Sequence, residues 1–169
     1  MIIIGLGANL DSRFGTPPET MRAAVLALSD VGLRIIKTSS LWASAPMYVR
    51  DQPWFHNAVL AVETDLSPYA LLEKLHDIEN VFGRVRVVKN GARVIDLDLE
   101  IYDDEIMNDP ALILPHPRMA ERGFVLKPMA EIMPKDWRHP ITDQSLAQMI
   151  ENLPDVPDQE IHRSEEAFP

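Results

Sequence analysis

The stretch RVIDLDLEIY, residues 93–102, decides the fold of this chain because its acidic and apolar residues alternate. A β-strand sends successive side chains to opposite faces, so Asp96, Asp98 and Glu100 would share one face and the leucine and isoleucine side chains the other. Carboxylates at positions i and i+2 lie roughly 6–7 Å apart at Cα, so their oxygens can converge on divalent cations. The alternative is an edge strand whose solvated acidic face discourages pairing with other strands. The rest of the sequence has to distinguish a cation-binding face from a solvated edge strand.

Strand and helix patterns alternate on both sides of this stretch. They predict strands at residues 2–6, 33–42 and 54–62, a loop at 44–53, helices that begin near Pro17 and Pro68 and end at Gly32 and Gly83, a hairpin at 102–106, an extended segment at 112–119, and helical segments at 129–132 and 145–152. We expect one domain over residues 1–153. Residues 154–169 are rich in proline and charge, and we expect them to form a flexible acidic tail.

Composition excludes several classes of function. The 169 residues contain no cysteine, so disulfides, thiolate metal sites and a cysteine nucleophile are ruled out, as is typical of a cytoplasmic protein. No apolar run approaches the roughly 18 residues that a membrane span needs. A net charge of −10 argues against a nucleic-acid partner. We therefore expect a cytoplasmic monomer that acts on small molecules.

Residues 83–93 are a cationic exception within this acidic chain. The segment contains Arg84, Arg86, Lys89 and Arg93 and no acidic residue. A local cluster of positive charge in a negatively charged protein indicates a small polyanionic ligand. The predicted helix that ends at Gly83 delivers this segment directly to the strand that carries Asp96.

Single residues elsewhere leave alternatives open. Asn57 shares the inward face of its predicted strand with apolar residues, so it is either a hydrogen-bonded core amide or a ligand-binding residue. Glu79 lies at the edge of a buried helical stripe and is either a solvated or a functional carboxylate. Taken singly, His116 is typical of a surface histidine and Phe124 of a core aromatic.

Four separated blocks of sequence together carry a resemblance to a known family. They are DQPWFHNAV at residues 51–59, Glu79 with GRVR at 83–86, RVIDLDL at 93–99, and LPHPRM at 114–119 with RGF at 122–124. Their order and spacing resemble the 6-hydroxymethyl-7,8-dihydropterin pyrophosphokinase family of folate biosynthesis, over about residues 2–150. The resemblance implies one α+β domain with a ferredoxin-like, mainly antiparallel sheet, helices packed on it, and mobile loops over a cleft.

The resemblance also implies a reaction and its residues. ATP would transfer its terminal pyrophosphoryl unit to the hydroxymethyl group of the pterin and leave as AMP. Asp96 and Asp98 would hold two Mg²⁺ ions, and Arg84 and Arg93 would act with them in catalysis. The positions matching ATP contacts are Glu79, Arg84, Arg86, Arg93, Leu99, His116 and Arg122. Those matching the pterin site are Ser44, Met47, Phe55, Asn57 and Phe124, whose rings and polar groups suit a flat heteroaromatic with an amide-like edge.

Some residues depart from the family pattern. Tyr48 stands where glycine is common, and Asn90 stands where many relatives have tryptophan, so the alternative function is a degenerate relative that binds pterin or nucleotide without turnover. Glu100 occupies a position that is usually apolar. We expect its side chain to be exposed past the edge of the sheet rather than to tune the metal site.

Overall fold

Residues 2–102 alternate strands and helices, and residues 107–163 add two small strand pairings and the remaining helices. A computed structural model describes residues 1–46, 51–83, 91–155 and 160–169. The elements are β1 (Ile2–Ala8), α1 (Pro17–Asp30), β2 (Arg34–Thr38), β3 (Trp42–Ser44), β4 (Phe55–Glu63), α2 (Pro68–Val81), β5 (Asp96–Tyr102), β6 (Met107–Asn108), β7 (Ile113–Leu114), a 3₁₀ turn (Met119–Glu121), α3 (Gly123–Ile132), α4 (Leu146–Glu151) and β8 (Ile161–Arg163).

The main sheet is antiparallel and has β1 at its centre. Its strand order is β5-β1-β4-β3-β8, and β2 pairs with the other end of β4; β6 and β7 form a separate two-stranded sheet. The succession β1-α1-β2-β4-α2-β5 with the order β5-β1-β4-β2 is the ferredoxin-like arrangement. The predicted α+β fold with a mainly antiparallel sheet is therefore confirmed.

Apolar side chains form a core on each face of the sheet. On one face α1 and α2 bury side chains such as Met21, Leu28 and Leu75 against β1, β4 and β5. On the other face α3 and α4 cover the end of the sheet that carries Ile3 and Ile101. The remaining part of this second face is not filled by helices, and it is there that β5 presents its acidic residues. No helix within the described ranges is long and apolar enough to cross a membrane.

The helix α2 follows the prediction closely, whereas the predicted strand at residues 33–42 is divided in two. Ser67 caps α2 by accepting a hydrogen bond from the Ala70 amide, and Pro68 is the first helical residue. The division between β2 and β3 occurs at Ser39, whose backbone N–H donates to Val59 O and whose Oγ accepts from Val59 N–H, each at 2.9 Å. The Ser39 hydroxyl thus takes the place of a backbone carbonyl as the acceptor for the Val59 N–H, and this interrupts the regular pairing with β4.

The helix α3 begins at Gly123, six residues earlier than the prediction, although Pro128 lies inside it. Proline removes a backbone donor and disfavours helix interiors, so the sequence alone favoured a later start. Val125, Leu126 and Met129 pack against the sheet in one continuous apolar stripe. This tertiary packing outweighs the local preference.

The structure also differs from the predicted flexible tail. Residues 161–163 form β8, which pairs antiparallel with β3 and turns β3 from an edge strand into an interior one. Ala45 N–H donates to Glu160 O at 2.9 Å and Ser164 N–H to Leu41 O at 2.8 Å. The physical reason is that Ile161 packs against Gly123, a contact between distant residues that composition does not reveal.

Candidate active site

The two aspartates of β5 face a floor of glycine backbone on β1. Asp96 is opposite Gly7 and Asp98 is opposite Gly5 in the antiparallel register. Gly7 lies between Asn57 of β4 and Asp96 of β5, and a Cβ atom added there would lie in van der Waals contact with Asn57 Oδ1, at 3.5 Å. The alternation of the sequence thus places Asp96, Asp98 and Asn57 on one open face of the sheet.

An arginine is paired with each of these aspartates. The Arg93 guanidinium bonds to Asp96, and its Nε donates to Gly91 O at 3.2 Å. Arg122 Nη1 donates to Asp98 Oδ2 at 2.8 Å. Both pairs are partly buried, where charges attract each other more strongly than in water. The site therefore combines balanced positive and negative charge with a surface that remains open.

Glu100 is the one acidic residue of β5 whose surroundings contradict the sequence expectation. Its side chain has no solvent exposure, and neither carboxylate oxygen has a hydrogen-bond partner among the described residues. Burial is the main cause that raises the pKa of Glu100 to about 8, and the charge of Asp98 adds to it while Arg122 opposes it. The pairing with β1 shifts by one residue between Ile3 and Ile4, opposite Glu100. Glu100 therefore lies at a bulge and is buried beside Gly5 of β1 instead of exposed past the sheet edge.

Aromatic and polar side chains around the aspartates line a first cleft. Its lining includes Ser44, Gln52, Phe55, Asn57, Arg93, Asp96, Asp98, Glu100, Arg118, Arg122 and Phe124. Asn57 Nδ2 donates to Ser44 Oγ at 2.9 Å, and both residues are buried. The Arg93 guanidinium lies 5.6 Å from the centroid of Phe55, and that of Arg122 lies 5.8 Å from the centroid of Phe124. The cleft therefore offers two aromatic rings and an oriented amide beside the charged groups.

A second cleft lies on the other side of Asp98. It is lined by Leu72, His76, Leu97, Asp98, Leu99, Asp109, Pro110, Ala111, Leu112, Ile113, His116 and Pro117. Its apolar lining and its two histidine rings, His76 and His116, suit a flat, partly polar ligand. Asp98 borders both clefts, so a cation held there would face a ligand in each.

His116 is held as a neutral ring beside this second cleft. Its Nδ1 accepts a hydrogen bond from the Arg118 backbone N–H at 3.2 Å, which leaves the ring proton on Nε2. Burial, followed by the positive charge of Arg122, lowers the pKa of His116. The ring can therefore donate a hydrogen bond from Nε2 without adding positive charge.

Glu79 has a different environment from the other predicted site residues. It is buried and accepts a hydrogen bond from the Leu97 backbone N–H at 2.7 Å, so α2 fixes the start of β5 through this contact. Within the described ranges Glu79 lines neither cleft. Met47, Arg84 and Arg86, like Tyr48 and Asn90, lie outside the described residues.

Asn9, which follows β1, is a site residue that the sequence patterns do not identify. Its Nδ2 donates to Gln52 Oε1 at 3.1 Å and to Pro53 O at 2.9 Å, while its Oδ1 accepts from the Arg93 N–H at 2.8 Å. One buried side chain thus ties the segment before β4 to the segment before β5. A single asparagine after a strand carries no signal for contacts at this distance in sequence.

The carboxylates of Asp96 and Asp98 are donors of the kind that magnesium prefers. No group of three or more histidine, cysteine, aspartate or glutamate side chains in the described part of the chain converges as a metal site. Magnesium is typically held by one or two carboxylates and completes its coordination with water and substrate phosphates. The donor chemistry of Asp96 and Asp98, both lining an open cleft, fits that pattern.

Comparisons with known proteins identify a family that this chain resembles. The family model described as 7,8-dihydro-6-hydroxymethylpterin-pyrophosphokinase matches residues 3–134. The folic acid synthesis protein fol1 of Pneumocystis carinii is 44% identical over 154 residues, which is 91% of this chain and 20% of that protein. The 2-amino-4-hydroxy-6-hydroxymethyldihydropteridine pyrophosphokinase of Haemophilus influenzae is 43% identical over 130 residues, 76% of this chain and 79% of that protein.

Solved structures share the fold at low sequence identity. An HPPK-DHPS crystal structure in complex with substrates superposes with a TM-score of 0.68 at 15% identity, covering 89% of this chain and 42% of that one. Wild-type HPPK-DHPS of Plasmodium falciparum gives 0.67 at 14% identity, covering 89% and 44%. The chain thus spans about a fifth of the fol1 protein of Pneumocystis carinii and under half of these structures.

Proposed function

The chain belongs to the 7,8-dihydro-6-hydroxymethylpterin-pyrophosphokinase family, and we propose that it transfers a pyrophosphoryl group from ATP to the hydroxymethyl group of 6-hydroxymethyl-7,8-dihydropterin. The products are the pterin diphosphate and AMP, and the role is in folate biosynthesis. The observation that carries this proposal is the position of Asp98, which borders a cleft with aromatic and amide groups on one side and an apolar cleft with His116 on the other.

The first cleft would bind the pterin. Phe55 and Phe124 offer aromatic faces for the flat ring, and Asn57 offers an amide that both donates and accepts hydrogen bonds along the edge of the pterin. The hydrogen bond to Ser44 fixes the orientation of that amide before the ligand arrives. The resemblance adds Met47 to this site.

The second cleft and the arginines would bind ATP. Leu99 and His116 line the cleft, and Arg93 and Arg122 supply positive charge at its junction with the first. Arginine side chains bind phosphate oxygens through several N–H groups and stabilise the negative charge of the transferred group. The resemblance adds Glu79, Arg84 and Arg86.

Asp96 and Asp98 would hold the magnesium ions, two in number by the resemblance. When bound, magnesium neutralises phosphate charge and aligns the triphosphate for in-line displacement. In that displacement the pterin hydroxymethyl oxygen loses its proton to solvent and forms a bond to the β-phosphorus of ATP. The bond from that phosphorus to the oxygen that bridges it to the α-phosphorus breaks, and this oxygen leaves with AMP. The described residues contribute by orienting both substrates and by excluding water between the clefts.

The direct experiment is an assay of the purified protein with ATP, Mg²⁺ and the reduced pterin. We expect equimolar AMP and pterin diphosphate, and we expect D96A and D98A each to reduce kcat by at least 100-fold, since the ions would lose a ligand. D104A, which removes an exposed carboxylate from the turn after β5, is the matched control and should keep full activity. Tight binding of both substrates without AMP would favour the degenerate alternative, and near-normal turnover in D96A or D98A would contradict the metal assignment.

We further propose that the protein works as a cytoplasmic monomer. The absence of cysteine and the small-molecule clefts within one chain support this proposal. Sedimentation or light scattering at assay concentration should give one mass near 19.1 kDa, and a stable dimer would contradict the monomer.

A further inference from the structure

Glu100 is a buried carboxylate for which the proposed reaction has no use. Both of its oxygens are inaccessible and accept no hydrogen bond from any described residue. Burying such a group without partners is energetically unfavourable. The backbone nevertheless makes room for it, since a Cβ atom at Gly5 would lie 3.2 Å from Glu100 Oε1. Because the unpartnered Glu100 carboxylate is unfavourable and yet has a space beside Gly5, it suggests that Glu100 gains a hydrogen-bond partner in another state of the site.

Two nitrogen atoms lie just beyond hydrogen-bond distance of Glu100. His116 Nδ1 is 3.9 Å from Oε2, but this atom already accepts the Arg118 N–H and presents a lone pair rather than a proton. Arg122 Nη1 is 3.7 Å from Oε1 and carries protons at all times. A shift of less than about 1 Å would bring Arg122 to normal hydrogen-bond distance.

Arg122 is now bonded to the carboxylate that the reaction needs. Its Nη1 donates to Asp98 Oδ2 at 2.8 Å, and its side chain is only 13% exposed. A cation that engages Asp98 would compete with the guanidinium for the same oxygens. A partly buried guanidinium that loses its partner must either find another carboxylate or move out to water.

We propose that Glu100 is a positioning residue for Arg122, which it receives when Asp98 engages a cation. The proposal rests on the assignment of Asp98 to magnesium in the proposed function. Arg122 precedes the first residue of α3, so its backbone is fixed, and Phe124 lies beside its guanidinium. When the guanidinium of Arg122 moves from Asp98 to Glu100, its positive charge therefore stays at the junction of the two clefts, where the nucleotide phosphates would meet it.

The inference predicts that Glu100 affects nucleotide binding only through Arg122. E100Q keeps the shape of the side chain but replaces one acceptor oxygen with an NH2 group, which cannot accept a hydrogen bond from Arg122, and we expect it to weaken binding of the magnesium complex of a non-hydrolysable ATP analogue about tenfold. E100D keeps the carboxyl group on a shorter side chain and should restore part of the loss. E105Q, at an exposed turn position after β5, is the matched control and should bind like the wild type.

A double-mutant cycle measured by titration calorimetry tests this without turnover. E100Q should lose about tenfold in affinity when Arg122 is present and less than twofold in the R122A background. With EDTA and the analogue alone, E100Q should change affinity less than twofold, because Arg122 then stays on Asp98. Thermal unfolding checks that each variant folds, and E100D replaces E100Q in the cycle if E100Q does not.

The outcomes separate this inference from the proposed function. Equal losses from E100Q in both backgrounds would overturn the inference and leave the proposed function intact. An equal loss with and without magnesium would do the same. Failure of the wild-type protein to bind the magnesium–analogue complex would contradict the proposed function, and the inference with it.

Discussion

At the scale of single residues, Glu100 makes the stability of the metal-free protein depend on pH. Its pKa is raised to about 8 in the folded state, so the folded protein keeps a proton that the unfolded chain releases above its ordinary value of 4.5. The folded state therefore binds more protons across this window, and the free energy of unfolding falls as the pH rises from about 5 to about 8, by roughly 1 kcal/mol per pH unit.

Urea unfolding in EDTA checks this expectation. The wild-type protein should lose stability between pH 5 and pH 8 relative to E100Q, which has no titrating group at this position. E105Q should follow the wild type, because Glu105 is exposed. Parallel curves for the wild type and E100Q would show that Glu100 does not titrate in this range.

A second residue-scale prediction concerns Asn9. N9A removes two donated and one accepted side-chain hydrogen bond and leaves the Arg93 N–H without its partner. We expect a loss of about 1–3 kcal/mol in the free energy of unfolding and a lower kcat, because Arg93 would be less well oriented. Urea unfolding and steady-state kinetics measure both effects. N80A, an exposed substitution at the end of α2, should change neither quantity.

The sequence predicted which residues carry the charge of the site but not their partners. Alternation alone put Asp96 and Asp98 on one face of β5, and in the structure both line a cleft that Ser44, Phe55, Asn57 and Phe124 also line. The roles of these residues stay predictions. Glu100 was misjudged because it lies at a bulge in the pairing of β5 with β1, which the alternation of the sequence does not predict. Asn9 was missed because its three hydrogen-bond partners belong to two other segments of the chain.

At the scale of elements, β8 and α3 support the first cleft through one tight contact. A Cβ atom at Gly123 would lie 2.7 Å from Ile161 Cδ1. We expect G123A to reduce the free energy of unfolding by about 1–2 kcal/mol and to raise KM for the pterin, because displaced side chains disturb Phe124 and Ser44.

The matched rescue is I161V, which removes that Cδ1 atom. The double variant G123A/I161V should recover most of the stability and of the KM, as expected for a swap that conserves volume. I161V alone should have a small effect. Additive losses in the double variant would contradict direct coupling between β8 and α3.

Elements with a local signal were predicted from sequence, and those that depend on distant packing were not. The cap at Ser67 and Pro68 and the alternation of β5 are properties of a few neighbouring residues. The break at Ser39 arises from its hydrogen bond with Val59, and the early start of α3 from packing against the sheet. The pairing of β8 depends on the contact between Ile161 and Gly123. Local propensity does not predict such contacts.

At the scale of the whole molecule, the shared position of Asp98 predicts coupling between the two clefts. The magnesium complex of a non-hydrolysable ATP analogue should tighten binding of the pterin at least fivefold, because the held cation faces both ligands. Titration calorimetry of the pterin with and without that complex measures the coupling. D98A should abolish it, and equal pterin affinity in both conditions would contradict it.

The central position of β1 also determines when the site can form. Gly7 of β1, on the floor of the site, pairs with Asn57 of β4 and with Asp96 of β5. Trp42 of β3 pairs with Arg163 of β8. Both parts of the sheet therefore join residues that are far apart in sequence. Contacts between residues far apart in sequence slow folding, because the chain loses entropy before these contacts form. During synthesis, one edge of β1 stays unpaired until residues 96–102 emerge from the ribosome. A nascent chain of this protein therefore exposes an apolar strand edge that chaperones can bind.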